Sequence, residues 1–257
     1  MDTGLRGRTV LIPGSTSGIG LACAKAFAAE GANVVVAGRR GDVAKEQAAA
    51  LPSAIGVAVD LADPEAPARL HQQAVEAFGA VDVLVLNGGG PPPGTAAGLA
   101  TDKLEAALQT LMVQHHRLVE AALPSMRERG WGRIVAVGSS GVQEPIEMLA
   151  LSNTGRAALS GYLKTLAAEV AADGVTVNMV LPGRIDTDRV AALDRARAER
   201  NGSTPEEVRA ASERAIPAQR YGRPEEFAAA VVFLASEPAS YVTGVRLRCD
   251  GGMVRSF

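Results

Sequence analysis

The chain has 257 residues, 47% of them hydrophobic, enough to bury the core of one large α/β domain and an argument against two. Its 26 Lys and Arg nearly balance 28 Asp and Glu, leaving a net charge of -2, so no global field recruits nucleic acid or an anionic membrane. Two cysteines build no disulfide framework and no metal-ligand spacing, and 4% aromatic residues supply no stacking platform for single-stranded nucleic acid. In chain order, short β-branched runs at residues 9–12, 33–37, 55–59, 81–86, 133–137, 175–180 and 245–247 read as seven strands. Between the first six lie segments of helical period, as in Ile19, Ala22, Cys23, Ala26 and Phe27, which place one apolar stripe against a sheet. Repeated strand-helix-strand order predicts parallel strands with helices on both faces, in a single domain over residues 1–257. The polar, Arg- and Glu-rich excursion at about 184–221 reads as a lid or insertion. The longest apolar run, residues 228–235, is too short to span a membrane, and the start Met1 to Arg6 lacks a signal-peptide core. A soluble protein of the reducing cytoplasm is expected.

In a doubly wound sheet, ligands bind beyond the carboxyl ends of the strands, so the loops there carry the functional reading. The first is Gly14-Ser15-Thr16-Ser17-Gly18-Ile19-Gly20, with a helix beginning at its end. Glycines let the backbone approach a pyrophosphate, and a helix N-terminus offers free N–H groups. A tight strand-to-helix turn needs glycine in either case, so the cluster alone leaves both readings open. The second strand closes on Arg39 and Arg40, with no Asp or Glu at its end. An acidic residue there would hydrogen-bond a free ribose hydroxyl, whereas a guanidinium forks onto a 2′-phosphate, so the position favours NADP(H) over NAD(H).

With glycines at 14, 18 and 20, the loop resembles that of the short-chain dehydrogenase/reductase family, whose pattern is Thr-Gly-x-x-x-Gly-x-Gly; Pro13 stands at the place of the Thr. The resemblance runs from Leu5 to about Gly252. Asp60-Leu61 is similar to the family's adenine contact, and Asn87-Gly88-Gly89-Gly90 to its Asn-Asn-Ala-Gly segment. Pro182-Gly183-Arg184-Ile185-Asp186-Thr187 resembles the Pro-Gly-x-x-x-Thr stretch that holds the nicotinamide carboxamide, and residues 223–226 with 250–252 resemble the C-terminal signature. Taken singly, Asp60 also reads as a turn cap, Asn87 as a pin between strands and Gly251-Gly252 as a bend at an interface. The resemblance implies a Rossmann-type, doubly wound, seven-stranded sheet and a homotetramer, with Leu104, Leu108, Leu111 and His115 down one helix side offering more apolar face than one sheet covers. Its cofactor set would be Gly14, Ser15, Ser17, Gly18, Ile19, Gly20, Arg39, Asp60, Leu61, Asn87, Gly88, Arg156, Pro182, Gly183, Ile185 and Thr187, with no metal.

In that family a Ser positions the substrate oxygen, a Tyr is the general acid/base, a Lys lowers the Tyr pKa and binds the nicotinamide ribose, and an Asn supports a relay water. Carried over by spacing, Ser139 matches the Ser, Ser152 stands at the Tyr, Arg156 at the Lys and Leu111 at the Asn. These exchanges are not conservative. An aliphatic hydroxyl is a far weaker acid than a phenol, and Ser152 is too short to reach the phenol's position. Arg156 can fork onto ribose hydroxyls and stabilise an oxyanion, but it cannot relay a proton. The stretch from Gly89 to Gly94, the run Gly130-Trp131-Gly132-Arg133, and Leu151-Ser152-Asn153 with Arg156 resemble a divergent branch similar to 3-oxoacyl-acyl-carrier-protein reductases with an altered tetrad.

Replacement acids are few. Glu144 and Glu147 follow the fifth strand, where burial against Met148 and Leu149 would raise a carboxyl pKa; a solvated loop is the simpler reading. His115 projects from nearly the same helix face as Leu111, while Tyr162 lies about 80° from the face of Ser152 and should not substitute. In the excursion, arginines 189, 195, 197, 200, 209 and 214 interleave with acidic residues, as in solvated amphipathic helices first and an anion-binding lid second. The expectation is an NADP(H)-dependent oxidoreductase acting on a small-molecule carbonyl, imine or activated double bond, with a non-standard proton path. A non-redox isomerase or lyase, or a cofactor-binding protein without turnover, would share the same features.

Overall fold

A computed structural model describes residues 2–256. Seven strands, β1 (Thr9–Ile12), β2 (Asn33–Gly38), β3 (Ala54–Ala58), β4 (Val83–Leu86), β5 (Gly132–Val137), β6 (Val175–Pro182) and β7 (Arg246–Cys249), form one sheet. Its order is β3-β2-β1-β4-β5-β6-β7, parallel throughout, the doubly wound Rossmann-type arrangement expected. The order reverses between β1 and β4, which pair at Val10 with Val83 and Leu11 with Leu84. A crevice therefore opens between the loops that leave these two strands.

The strands are apolar on both faces because helices cover both, and the two-residue period divides them. Val10, Ile12, Val34, Val36, Val83 and Val85 pack on α1 (Gly18–Ala29) and α9 (Pro224–Ala235). Leu11, Val35, Leu84, Leu86, Ile134 and Ala136 pack on α3 (Ala66–Phe78), α5 (Gln114–Glu128) and α6 (Ala150–Val170). The short helix α2 (Gly41–Ala49) lies against β3, where Gly56 leaves no room for a side chain beneath Ala44.

Most strand ends shift by one or two residues from expectation, and two strand starts and one helix show why. β4 begins at Val83 rather than residue 81, because the Asp82 carboxylate itself accepts the Thr9 N–H at 2.9 Å. β7 begins at Arg246 rather than 245, since Gly244 turns the chain at φ 71° and the Val245 N–H goes to the Asn178 side chain at 3.2 Å. Between β4 and β5 the expected helix is interrupted: α4 (Thr101–Leu108) passes into one π-helical turn, Gln109–Val113, before α5 resumes. Such turns hold an extra residue against the i→i+4 ladder and recur at functional sites.

The 184–221 excursion contains α7 (Asp188–Asn201) and α8 (Pro205–Ala215). Asp194 is buried beneath them, paired with Arg184 and accepting the Tyr221 hydroxyl at 2.8 Å. No helix among the described residues is long and apolar enough to cross a membrane, and no cluster of His, Cys, Asp or Glu there could hold a metal.

Candidate active site

The loop leaving β1 is shaped by its glycines. Gly14 and Gly18 take φ 64° and 55°, where a side chain would be strained, and a Cβ on Gly20 would lie 2.3 Å from the Gly14 carbonyl oxygen. Glycine alone lets α1 close onto the loop. Ser17 begins the helix with no side-chain cap, so the N–H groups of the first turn stay free. They face a cavity of about 490 Å³ whose wall includes Gly14, Ser17, Gly18, Ile19 and Gly20. Across the crevice, buried Asn87 donates from Nδ2 to the carbonyls of Pro13 and Gly14 at 2.9 and 3.0 Å. It pins the loop of β1 to the end of β4, and Gly88 beside it lines the same cavity.

Ser15 points elsewhere. Its hydroxyl donates to the Ile12 carbonyl at 2.6 Å and accepts the Ala37 N–H at 2.9 Å, with the residue fully buried. The side chain clasps β1 to β2 and is closed to any ligand. Asp60 and Leu61 lie outside the cavity wall, and the Asp60 carboxylate accepts the Ala62 N–H at 3.0 Å, the turn-cap arrangement. Arg39 is exposed at the end of β2 with no hydrogen bond among the described residues, whereas Arg40 reaches the Thr16 hydroxyl at 3.4 Å. Pro182, Gly183, Ile185 and Thr187, at the end of β6 and the start of α7, form the far wall.

Ser139, Ser152 and Arg156 meet in this cavity. Ser139 accepts the Gly141 N–H at 3.1 Å, which leaves its own proton to donate. Ser152 precedes Arg156 by one turn of α6, so both side chains leave the same helix face. The buried Arg156 guanidinium donates from Nη1 to the Val137 carbonyl. Burial, with repulsion from Arg189, draws its pKa down to about 10, so it remains a cation at neutral pH. Leu111 sits in the π-helical turn and packs on Gly155, where a Cβ would meet it at 2.7 Å. Its side chain offers no hydrogen bond, and His115 Nδ1 occupies its carbonyl at 3.0 Å.

The alternative acids are not assembled here. Glu144 and Glu147 are exposed rather than buried against Met148 and Leu149, and neither lines the cavity; Glu144 accepts the Ser256 N–H at 3.2 Å. Tyr162 sits edge-on to His116 at 5.1 Å, away from the cavity, as its helical angle predicts. Burial pushes His115 down to about 4 against the opposing Leu111 hydrogen bond, so at neutral pH it is uncharged. An imidazole donating from Nδ1 to a carbonyl carries a bare Nε2, which cannot donate.

The same burial predicts a pH effect on stability. Above about pH 6.5 both folded and unfolded His115 are neutral; below it the unfolded chain takes up a proton that the folded chain refuses until about pH 4. Stability is therefore lost as pH falls through that window, by about 3 kcal/mol at most. Urea midpoints near pH 7.5 and 4.5 should differ less in His115→Gln than in the wild type. Equal pH dependence in both would show that His115 does not supply it.

Several wall residues carried no local signal in the sequence. Ile146, Leu149, Val190, Leu193 and Met253 make the cavity largely apolar, and only Met253 was marked by its neighbours Gly251-Gly252. The loops after β4 and β5 are joined by the Gly94 N–H to the Met148 carbonyl at 2.6 Å, with Met148 held at φ 62°. Asn153 fastens the second loop by donating to the Ile146 carbonyl at 2.9 Å.

A family described as Enoyl-(Acyl carrier protein) reductase matches residues 14–254. An uncharacterized oxidoreductase of Mycobacterium tuberculosis is 38% identical over 251 residues, covering 96% of this chain and 92% of the relative. A 3-oxoacyl-[acyl-carrier-protein] reductase of Mycobacterium bovis is 34% identical over 246 residues, again covering 96% and 92%. The crystal structure of L-sorbose reductase from Gluconobacter frateurii, complexed with NADPH and L-sorbose, superposes with a TM-score of 0.94 at 35% identity, covering 100% of both chains.

Proposed function

The chain belongs to the short-chain dehydrogenase/reductase family, and from that premise we propose an NADP(H)-dependent oxidoreductase with a non-standard proton path. The observation that carries it is the convergence of the free α1 N-terminus, Asn87, Thr187 and the Ser139–Arg156 pair on one cavity at the switch point of the sheet. The residues fit a dinucleotide: glycine backbone for the diphosphate, Arg156 for the nicotinamide ribose, Pro182 to Thr187 for the carboxamide and Arg39 for the 2′-phosphate. NADPH-complexed L-sorbose reductase, of the same fold, supports the choice of cofactor.

When bound, the cofactor supplies a hydride. Reduction of a carbonyl consumes that hydride and one proton, giving an alcohol and NADP⁺. Ser139 donates a hydrogen bond to the substrate oxygen, and Arg156 stabilises the charge that develops there. With neither phenol nor lysine at positions 152 and 156, the proton comes from water entering the open cavity. Substrates whose reduced form is a stabilised anion, such as reactive carbonyls or conjugated double bonds, suit this centre best. The 184–221 segment acts as a lid within one domain. Fluorescence titration should show saturable NADPH binding with NADH at least tenfold weaker, and equal affinities would contradict the NADP(H) assignment.

We also propose the tetramer implied by the family. Its support differs from expectation: Leu111 and His115 are buried within their own chain, so they are no docking stripe. Among the described residues, Phe233 on α9 and Leu247 on β7, with Tyr241 and Val245 between them, are the large exposed hydrophobic side chains. Light scattering should give about four times the 26.4 kDa chain mass, and a monomer at micromolar concentration would contradict it.

A further inference from the structure

Four charged residues line the cavity: Arg156, Arg184, Asp188 and Arg189. Arg184 is neutralised by buried Asp194. Asp188 pairs with neither remaining guanidinium, and among the described residues Arg156 and Arg189 have no carboxylate within ion-pair distance. Each is steered instead by one carbonyl, Arg156 by Val137 and Arg189 by Pro91 at 2.7 Å.

Arg189 leaves the first turn of α7 and lies across the loop after β4. Its Nη2 is 3.0 Å from where a Cβ on Gly90 would be, so the guanidinium lies directly against the backbone of that loop. The two cations are near enough that Arg189 depresses the pKa of Arg156. Arg156 and Arg189 face one cavity with no carboxylate paired to either among the described residues, and an anion that enters between them relieves their repulsion. The apolar wall of Ile146, Leu149, Val190 and Leu193 suits the body of an amphiphile whose charged end meets the guanidiniums.

We propose that Arg189, with Arg156, recognises a carboxylate on the substrate, so that this protein acts on small keto or conjugated acids. The proposal rests on the reductase reading above and adds the substrate class to it. A guanidinium fork matches a carboxylate in two parallel hydrogen bonds, and Lys would not reproduce that geometry. A cofactor diphosphate presents the same oxyanion chemistry, and the experiment separates the two sources.

The test is calorimetric titration of the NADPH-loaded protein with pyruvate, 2-oxobutyrate and phenylpyruvate, each beside its uncharged methyl ester. At least one acid should bind tenfold or more tightly than its ester, and Arg189→Met should abolish that preference, with Arg189→Lys retaining part of it. Circular dichroism checks the fold of both variants, and NADPH affinity is measured for each by fluorescence. If no acid outbinds its ester, or if Arg189→Met binds acids as the wild type does, the proposal is overturned. A tenfold loss of NADPH affinity in Arg189→Met also overturns it, by assigning the guanidinium to the diphosphate. If the wild type does not bind NADPH, the reductase reading fails; the same acid and ester titrations on cofactor-free protein then decide the anion site by themselves.

Discussion

Replacing Arg156 with Ala should lower kcat/KM by about a hundredfold or more and weaken NADPH binding roughly tenfold. Two effects combine at this side chain. Its guanidinium is positioned by the Val137 carbonyl and buried, so its charge acts through a medium of low effective dielectric on any oxyanion forming beside Ser139. In its proposed role it also grips the nicotinamide ribose, so ground-state and transition-state binding should fall together. Arg156→Lys keeps the charge without the fork and should fall between wild type and Ala. Ser152→Ala should cost less than about tenfold, well below the loss expected of a general acid. Were Ser152→Ala to abolish turnover while Arg156→Ala kept both rate and affinity, these roles would be reversed and Ser152 would be the proton donor or nucleophile.

Arg39→Ala should weaken NADPH by roughly tenfold to a hundredfold, about 1.5 to 3 kcal/mol, and leave NADH unchanged. Arg39 is exposed just past the carboxyl end of β2 and, among the described residues, makes no hydrogen bond that a phosphate would have to displace. Arg40 beside it is already turned toward Thr16, and its loss should matter less. Titrating wild type and variant with both cofactors reads the difference directly. Parallel weakening of NADPH and NADH would mean that the residue supports the loop rather than the 2′-phosphate.

The strands were legible because a parallel sheet covered on both faces requires near-continuous β-branched runs, and Val34, Val35 and Val36 state that requirement locally. The glycine loop after β1 was legible because positive φ at Gly14 and Gly18 and the close approach at Gly20 all demand glycine. What escaped depends on partners distant in sequence. Ser15 looks available in a glycine-rich loop, yet Ala37 on the next strand occupies its hydroxyl. Leu111 and His115 look like an outward stripe, but Gly155 on α6 leaves space that Leu111 fills from the π-helical turn. Glu144 and Glu147 were legible, since the simpler solvated-loop reading holds: Asn153 fastens their loop through its backbone and both carboxylates stay in water. The arginines of the excursion behave as solvated helix faces at 195, 197, 200 and 214, and Arg189 is set apart only by the loop it crosses.

In the proposed reaction this centre transfers hydride without a phenol. The most direct measurement uses NADPH deuterated at the transferring carbon, incubated with the wild-type protein and a panel of keto and conjugated acids, with products read by mass spectrometry. The reduced product should carry one deuterium from the cofactor and form at a rate that collapses in Arg156→Ala and persists in Ser152→Ala. Conversion without deuterium, or NADPH bound but never oxidised across the panel, would contradict it.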